Sequence, residues 1–324
     1  MIYTFIMNIS VVVPIYKSQN TLELLYSRLE TTLNQIAECW EVVFVNDGSP
    51  DSSWEKIEWL IKSKSNIVGV KFSRNFGQHN ALLAGIRRTR FSTIITLDDD
   101  LQNPPEEISK LLIKISEGYD LVYGIPEKKQ HSFFRNLSSS ITRITLSSIM
   151  GASAARNVTS FRVFKKTLTS AFDDYNGDFV SVDALLSWGT NKIGQTSVLH
   201  EERKEGTSNY SFKKLMRHCL TMMTSYSSLP LRVASFVGFV CTTFGVGILF
   251  YVLGRYFIEG DSVPGFPFLA SVISIFSGAQ LFSLGIIGEY LGRVHFRSMG
   301  KPSYVIENVI TSKNLSKPIL EKAS

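Results

Sequence analysis

Two stretches near the C-terminus limit what this chain can become. Val233 to Gly254 is 22 residues without a charge, and Ser262 to Gly288 is 27. A helix of about 20 apolar residues spans the hydrocarbon core of a bilayer. The two stretches, extended to 233–257 and 264–288, therefore predict a transmembrane hairpin within residues 232–292. Their Gly, Ser and Thr content suits close helix packing in lipid. The alternative is a pair of helices buried in a soluble core.

The link between the stretches is short and holds Glu259 and Asp261. Lys213, Lys214, Arg217 and Arg232 precede the first stretch, and Arg293, Arg297 and Lys301 follow the second. By the positive-inside rule both flanks face the cytoplasm, and residues 293–324 form a cytoplasmic tail. Arg255 breaks the pattern mildly and can snorkel to the outer interface. The first residues lack the basic and apolar regions of a secretory signal, so none is expected. Three separated cysteines, Cys39, Cys219 and Cys241, form no disulfide framework and point to a reducing compartment.

Within 208–231, Phe212, Leu215, Met216, Cys219, Leu220 and Met223 recur at helical spacing, with Lys213, Lys214, Arg217 and His218 on other faces. This reads as an amphipathic helix on the inner leaflet or, equally, as a helix packed on the soluble domain. Residues 133–150 are a weaker case of the same kind.

Residues 1–207 have another character. β-rich runs at Ile9–Ile15, Glu41–Val45, Ile67–Phe72 and Thr93–Leu97 alternate with helical patterns at Thr21–Glu38, Asp51–Lys62 and Gln78–Arg88. Asp51 is a plausible N-cap. A βαβαβαβ order implies a mostly parallel, Rossmann-like sheet with helices on both faces. Such sheets bind ligands beyond the carboxyl ends of their strands. Asn46–Ser49 and Asp98–Asp100 fall on that rim. Lys and Arg number 34 against 28 Asp and Glu, a net charge of +6. That excess is too small for a nucleic-acid binder and suits an anionic membrane surface.

Asp98-Asp99-Asp100-Leu101-Gln102-Asn103-Pro104-Pro105 carries the most chemistry. In an extended segment alternate residues point the same way. Asp98, Asp100 and Gln102 would then converge, with Asp99 turned away. Their hard oxygen atoms suit Mg²⁺ or Mn²⁺ shared with substrate phosphates, and three adjacent aspartates without a cation repel one another. Asp47 could accept hydrogen bonds from a base or ribose, although Asn-Asp-Gly is also an ordinary turn. Arg74-Asn75-Phe76-Gly77-Gln78 opens a helix and reads as an anion site or a plain loop. Arg203, Gly206, Ser208 and Tyr210 suit either a mobile lid over phosphates or a polar loop. The five histidines lack metal-site spacing, and no GxSxG or Walker sequence occurs.

The order Val11–Tyr16 (VVVPIY), Asn46–Ser49 (NDGS), Arg74–His79 (RNFGQH) and Asp98–Pro105 (DDDLQNPP) resembles the polyprenyl-phosphate glycosyltransferases of glycosyltransferase family 2. These are inverting enzymes of GT-A fold. The likeness continues through Ser160–Arg162, the Arg203–Tyr210 loop and Gly288–Arg293. It implies transfer of a sugar from a nucleotide sugar, UDP-linked in the nearest look-alikes, to undecaprenyl phosphate. It also implies a bacterial inner-membrane location and a tetramer. Matched residue by residue, Pro14, Tyr16 and Asp47 line the nucleotide, and Asp98, Asp100 and Gln102 hold the metal. Arg162 and Arg203 face phosphates, with Asp100, Arg162 and Arg203 in catalytic roles. Ser208 and Tyr210 belong to the lid. Many relatives carry an aspartate before the Phe-Arg pair, where this chain has Asn157 and Ser160, so no catalytic base is assigned. A processive polysaccharide synthase would add a Gln-x-x-Arg-Trp motif, and no Arg-Trp pair occurs. An inactive membrane scaffold would be expected to lose ligands from the aspartate triplet.

Overall fold

The computed structural model describes residues 7–127, 158–177, 179–201, 221, 224–259 and 265–312. The chain divides into two compact units, Met1–Ser211 with Pro302–Ser324, and Phe212–Lys301.

The first unit is built on one eight-stranded sheet. Its strands are β1 (Asn8–Ile15), β2 (Cys39–Asn46), β3 (Ile67–Phe72), β4 (Thr93–Thr96), β5 (Leu121–Pro126), β6 (Arg162–Lys165), β7 (Ile193–Val198) and β8 (Ile306–Thr311), in spatial order β7-β5-β6-β4-β1-β2-β3-β8. Strands β3, β2, β1 and β4 are mutually parallel, as their alternation with helices requires. The sheet is mostly parallel, as expected, with β7 parallel to β5, and two reversed strands on the flanks make it mixed. β6 is antiparallel to β4 and β5, and β8 is antiparallel to β3.

Helices α1 (Leu22–Ile36), α2 (Ser53–Ser63) and α4 (Ile108–Ser116) bury apolar stripes on one side of the sheet, against Ile9, Val11, Val13 and Ile15 of β1. Helix α3 (Gln78–Arg87) packs on β1 and β2 and meets α5 (Val182–Gly189). β1 is buried from Ile9 to Ile15 because helices cover both of its faces, hence its unbroken apolar run.

β8 lies in the segment expected to be a tail. It closes the β3 edge, with Ser73 N–H donating to the Val305 carbonyl at 3.1 Å. Tyr304 stacks on Phe72 with ring centroids 5.2 Å apart. Arg87 donates to the Tyr304 hydroxyl at 3.1 Å and to the Tyr175 carbonyl at 2.7 Å. The sheet is thus assembled from chain on both sides of the second unit.

The second unit holds two long helices, α6 (Leu229–Glu259) and α7 (Phe266–Ser298). Of the described helices one, over Leu229–Arg255, is long and apolar enough to cross a membrane by length and composition. The helices touch at Gly245, where an added Cβ would lie 2.7 Å from the Phe276 ring. Tyr290 donates to the Ser227 carbonyl at 2.5 Å and Arg293 to Ser225 Oγ at 2.9 Å. The Gly288–Arg293 motif therefore lies inside α7, which continues to Ser298. The amphipathic segment at 208–231 lies largely, and that at 133–150 wholly, outside the described residues.

Candidate active site at the carboxyl rim of the sheet

Strand connections reverse direction between β1 and β4, where α/β sheets open a crevice for ligands. Val12 C=O accepts from Leu97 N–H, so Val12, and with it the Pro14 nitrogen two residues on, faces β4. The β1–β4 pairing stops at Val12 and Thr96. Pro14 offers no N–H there, so β4 parts from β1 and the aspartates follow. Pro14 was expected to line a nucleotide. It is buried in β1, where it ends this pairing. Tyr16, just beyond, is exposed, with Lys17 Nζ 5.5 Å from its ring centroid.

The aspartate stretch is a turn, which corrects the extended segment expected to converge Asp98, Asp100 and Gln102. Leu101 has φ 59°, a left-handed conformation uncommon for a residue with a bulky side chain. Asp99 is held by the β1–α1 loop. It accepts from the Tyr16 amide at 3.0 Å and from Ser18 Oγ, pinning the β1–α1 loop. Asp100 accepts from Gln102 N–H at 3.1 Å, and the Gln102 carbonyl accepts from Glu201 N–H at 2.9 Å.

Asp98 is the electrostatic centre. It accepts from Gln78 Nε2 at 2.6 Å on one oxygen and from Ser160 Oγ on the other. Burial raises its pKa to about 6, assisted by the charges of Asp100 and Asp99 and opposed by Ser160 and Arg162. Burial likewise raises Asp99, against its hydrogen bonds from Ser18 and Tyr16.

Asp47, expected to meet a nucleotide, has two partners within the protein. Its two oxygens accept the N–H groups of Phe76 at 2.7 Å and Gly77 at 2.9 Å. Burial pushes its pKa up and these two bonds oppose the rise. Beside it Gly48 has φ 59°, and an added Cβ would lie 2.3 Å from the Arg74 carbonyl carbon. The Asn46–Ser49 and Arg74–Gln78 motifs are thus two halves of one clasp. The clasp delivers Gln78, the first residue of α3, to Asp98. Arg74 stays exposed, its guanidinium 4.5 Å from the Phe76 ring centroid.

Arg162 was expected to face phosphate. It is fully buried, pairs with Asp183, and donates to Thr96 Oγ1 at 3.0 Å. A guanidinium emerging from the middle of a sheet needs a carboxylate beside it, and the first turn of α5 supplies one. Arg203, Ser208 and Tyr210 lie outside the described residues. The chain leading to them is anchored at the rim by the Glu201–Gln102 bond and by Arg28, which bridges Glu106 at 2.8 Å and Glu201 at 3.0 Å.

The model of glycosyl transferase family 2 matches residues 10–175, half of the chain and every rim element just described up to β6. The chain belongs to glycosyltransferase family 2. The undecaprenyl-phosphate 4-deoxy-4-formamido-L-arabinose transferase of Pectobacterium carotovorum is 33% identical over 310 residues, 95% of each chain. That of Salmonella paratyphi B is 31% identical over 314 residues, 96% of each. Glucosyl-3-phosphoglycerate synthase from Mycobacterium tuberculosis, in complex with Mn²⁺, uridine diphosphate and glucosyl-3-phosphoglycerate, has the same fold. Its TM-score is 0.51 at 16% identity, over 68% of this chain and 80% of that one.

In this glycosyltransferase the contacts of three residues were not foreseen from the sequence. Gln78 and Ser160 hold the two oxygens of Asp98, and Asp183 neutralises Arg162. The signal for Gln78 was its place at the start of α3 directly after the clasp glycine. Asp183, from a helix 21 residues beyond Arg162, has no such signal.

Proposed function

We propose that this glycosyltransferase moves one sugar from a UDP-sugar to the phosphate of undecaprenyl phosphate at a bacterial inner membrane. The observation that carries the reading is the 33% identity to an undecaprenyl-phosphate sugar transferase, which runs over 95% of both chains and so includes the long helices. α6 and α7 supply the bilayer anchor as a two-span hairpin with the rim and both termini in the cytoplasm. The amphipathic segment before α6 lies on the inner leaflet, and the assembly is a tetramer. The product is a lipid-linked sugar for modification of cell-envelope glycan or of lipid A.

The donor set fits a divalent ion. Among the described residues no three His, Cys, Asp or Glu side chains cluster around one metal position. Mg²⁺ typically takes one or two carboxylates and completes its shell with water and substrate phosphate. Asp98 and Asp100 provide two carboxylates close enough for the charge of one to act on the other. Asp98, Asp100 and Gln102 would hold Mg²⁺ or Mn²⁺. When bound, the ion neutralises charge on the departing diphosphate.

The rest is orientation. Asp99 fixes the Tyr16 loop, leaving the exposed Tyr16 ring available to the nucleotide. The Asp47 clasp fixes Gln78. A phosphate monoester has a second pKa near about 6 and is mostly a dianion at neutral pH, so it attacks without help from a base. Asn157 and Ser160, in the neighbourhood where many relatives have an aspartate, are compatible with that chemistry. Arg203, Ser208 and Tyr210, on a segment tied to the rim at Glu201, close over the phosphates and exclude water.

The reading is tested with purified full-length protein, undecaprenyl phosphate and a panel of UDP-sugars. One UDP-sugar should give a lipid product that disappears in EDTA and returns with Mn²⁺. Asp100→Asn should lower turnover on the order of 10²–10³-fold with little change in the unfolding midpoint, since a ligand charge is lost at a half-buried turn outside the sheet. Full activity of Asp100→Asn, or of wild type in EDTA, contradicts the reading.

A further inference from the structure

Behind Asp98 runs a buried polar chain that the transfer reaction does not by itself explain. Arg162 lies across from Thr96 on β4 and Tyr123 on β5. The three side chains stand on one face of the sheet and meet the first turn of α5. There Asp183 accepts from the Tyr123 hydroxyl at 3.1 Å and from Arg162 Nη1. Arg162 Nε donates to Thr96 Oγ1 at 3.0 Å, and Thr96 Oγ1 donates to the Ser160 carbonyl at 2.6 Å. Ser160 Oγ in turn donates to Asp98. Arg162, Thr96 and Tyr123 are fully buried and Asp183 is 7% exposed. A buried ion pair is weak as a stabiliser, because apolar residues of equal volume pack as well without desolvating two charges. What the pair provides is a fixed direction.

We propose that Asp183 is a positioning residue for the aspartate rim: it fixes Arg162, and Arg162, through Thr96 and Ser160, fixes the orientation of the Asp98 carboxylate. The inference rests on the reading of Asp98 as a ligand of the divalent ion. β4 ends at Thr96, so Asp98 stands past the last ladder bond and needs side-chain restraint. Gln78 from α3 supplies it on one oxygen, and the Asp183 chain supplies it on the other. With both oxygens held, the carboxylate plane is fixed. Ligand-orienting residues outside the ligand shell act in this way in other metal sites.

The test uses full-length protein in detergent, with Mn²⁺ plus UDP as the probe, read by calorimetry and accompanied by unfolding midpoints. Asp183→Asn keeps the size of the side chain and removes the charge facing Arg162. Thr96→Val cuts the chain further on and leaves the ion pair intact. It keeps the test open if Asp183→Asn does not fold. Each change, like Ser160→Ala, should weaken Mn²⁺–UDP binding by about 10–100-fold. Thr96→Val combined with Ser160→Ala should be no worse than the weaker-binding single variant, because both break one chain. Asp183→Glu should recover part of the affinity. Wild-type affinity in folded Asp183→Asn or in Thr96→Val overturns the proposal, as do Thr96→Val and Ser160→Ala losses that multiply. If wild type binds neither Mn²⁺ nor UDP, the functional reading fails, and a crystal structure of Thr96→Val decides the positioning role. Ser160 Oγ turned away from Asp98 supports it, and an unmoved Ser160 overturns it.

Discussion

Asp47 holds the amide of Gly77 at 2.9 Å, across 30 residues of chain, and so closes the loop after β3 onto the end of β2. Its other oxygen holds the Phe76 amide, so the carboxylate faces two donors at once. Asp47→Asn puts an NH₂ against one of them. Hydrogen bonds to charged groups contribute about 1.5–3 kcal/mol each, and the variant should lose about that much stability. Gly48→Ala should cost more, because its Cβ meets the Arg74 backbone and its φ is left-handed. Thermal unfolding of both variants checks the order. A midpoint unchanged in Asp47→Asn would mean that the clasp is not holding the loop.

The pKa of Asp98, raised to about 6, gives a pH signature to the metal-free protein. The folded state binds this proton more tightly than the unfolded state, whose carboxylate titrates near about 3.9. Its stabilising contribution is therefore complete below about pH 4 and is lost as pH rises through about 6. Mn²⁺ competes with the proton, so Mn²⁺ affinity should rise across the same window. Asp98→Asn should flatten both trends and raise the unfolding midpoint of the metal-free protein at pH 7. Midpoints measured from pH 4.5 to 7.5 without metal, for wild type and Asp98→Asn, decide it. Parallel curves would remove Asp98 as the source.

The parallel strands β1 to β4 were legible because each is a short apolar run bounded by turn residues, with a helical pattern between. β6 and β8 were not. β6 is four residues long, and β8 pairs with β3 from the far side of the helices, over more than 230 residues of chain. Local pattern does not encode such a partner. The site divides in the same way. That Asp98, Asp99 and Asp100 matter is visible in their type and crowding. That Asp99 pins a loop while Asp98 is held by Gln78 and Ser160 depends on where α3 and β6 arrive. Asp47 and Arg162 were recognised as important, but their protein partners, the Phe76 and Gly77 amides and Asp183, were not legible. Charge and motif identify a group under constraint, and only packing identifies what it touches.

By the positive-inside rule, the proposed hairpin of α6 and α7 predicts both flanks in the cytoplasm and the link between the helices outside. A reporter that works only outside the membrane should be active when inserted near Gly260 and silent when fused after residue 324. Activity at the C-terminus alone would reverse the orientation. Activity at both positions would leave α6 as a single span, with α7 outside the bilayer.

The proposed acceptor is the phosphate of a polyprenyl phosphate, which attacks unaided once held at the rim. The most direct measurement is the mass of the lipid product formed by purified protein from its preferred UDP-sugar. It compares undecaprenyl phosphate with undecaprenol as acceptor. The account predicts undecaprenyl phosphate heavier by one sugar residue and no product from undecaprenol. A glycosylated undecaprenol, or a ladder of several sugars on the phosphate, would contradict it.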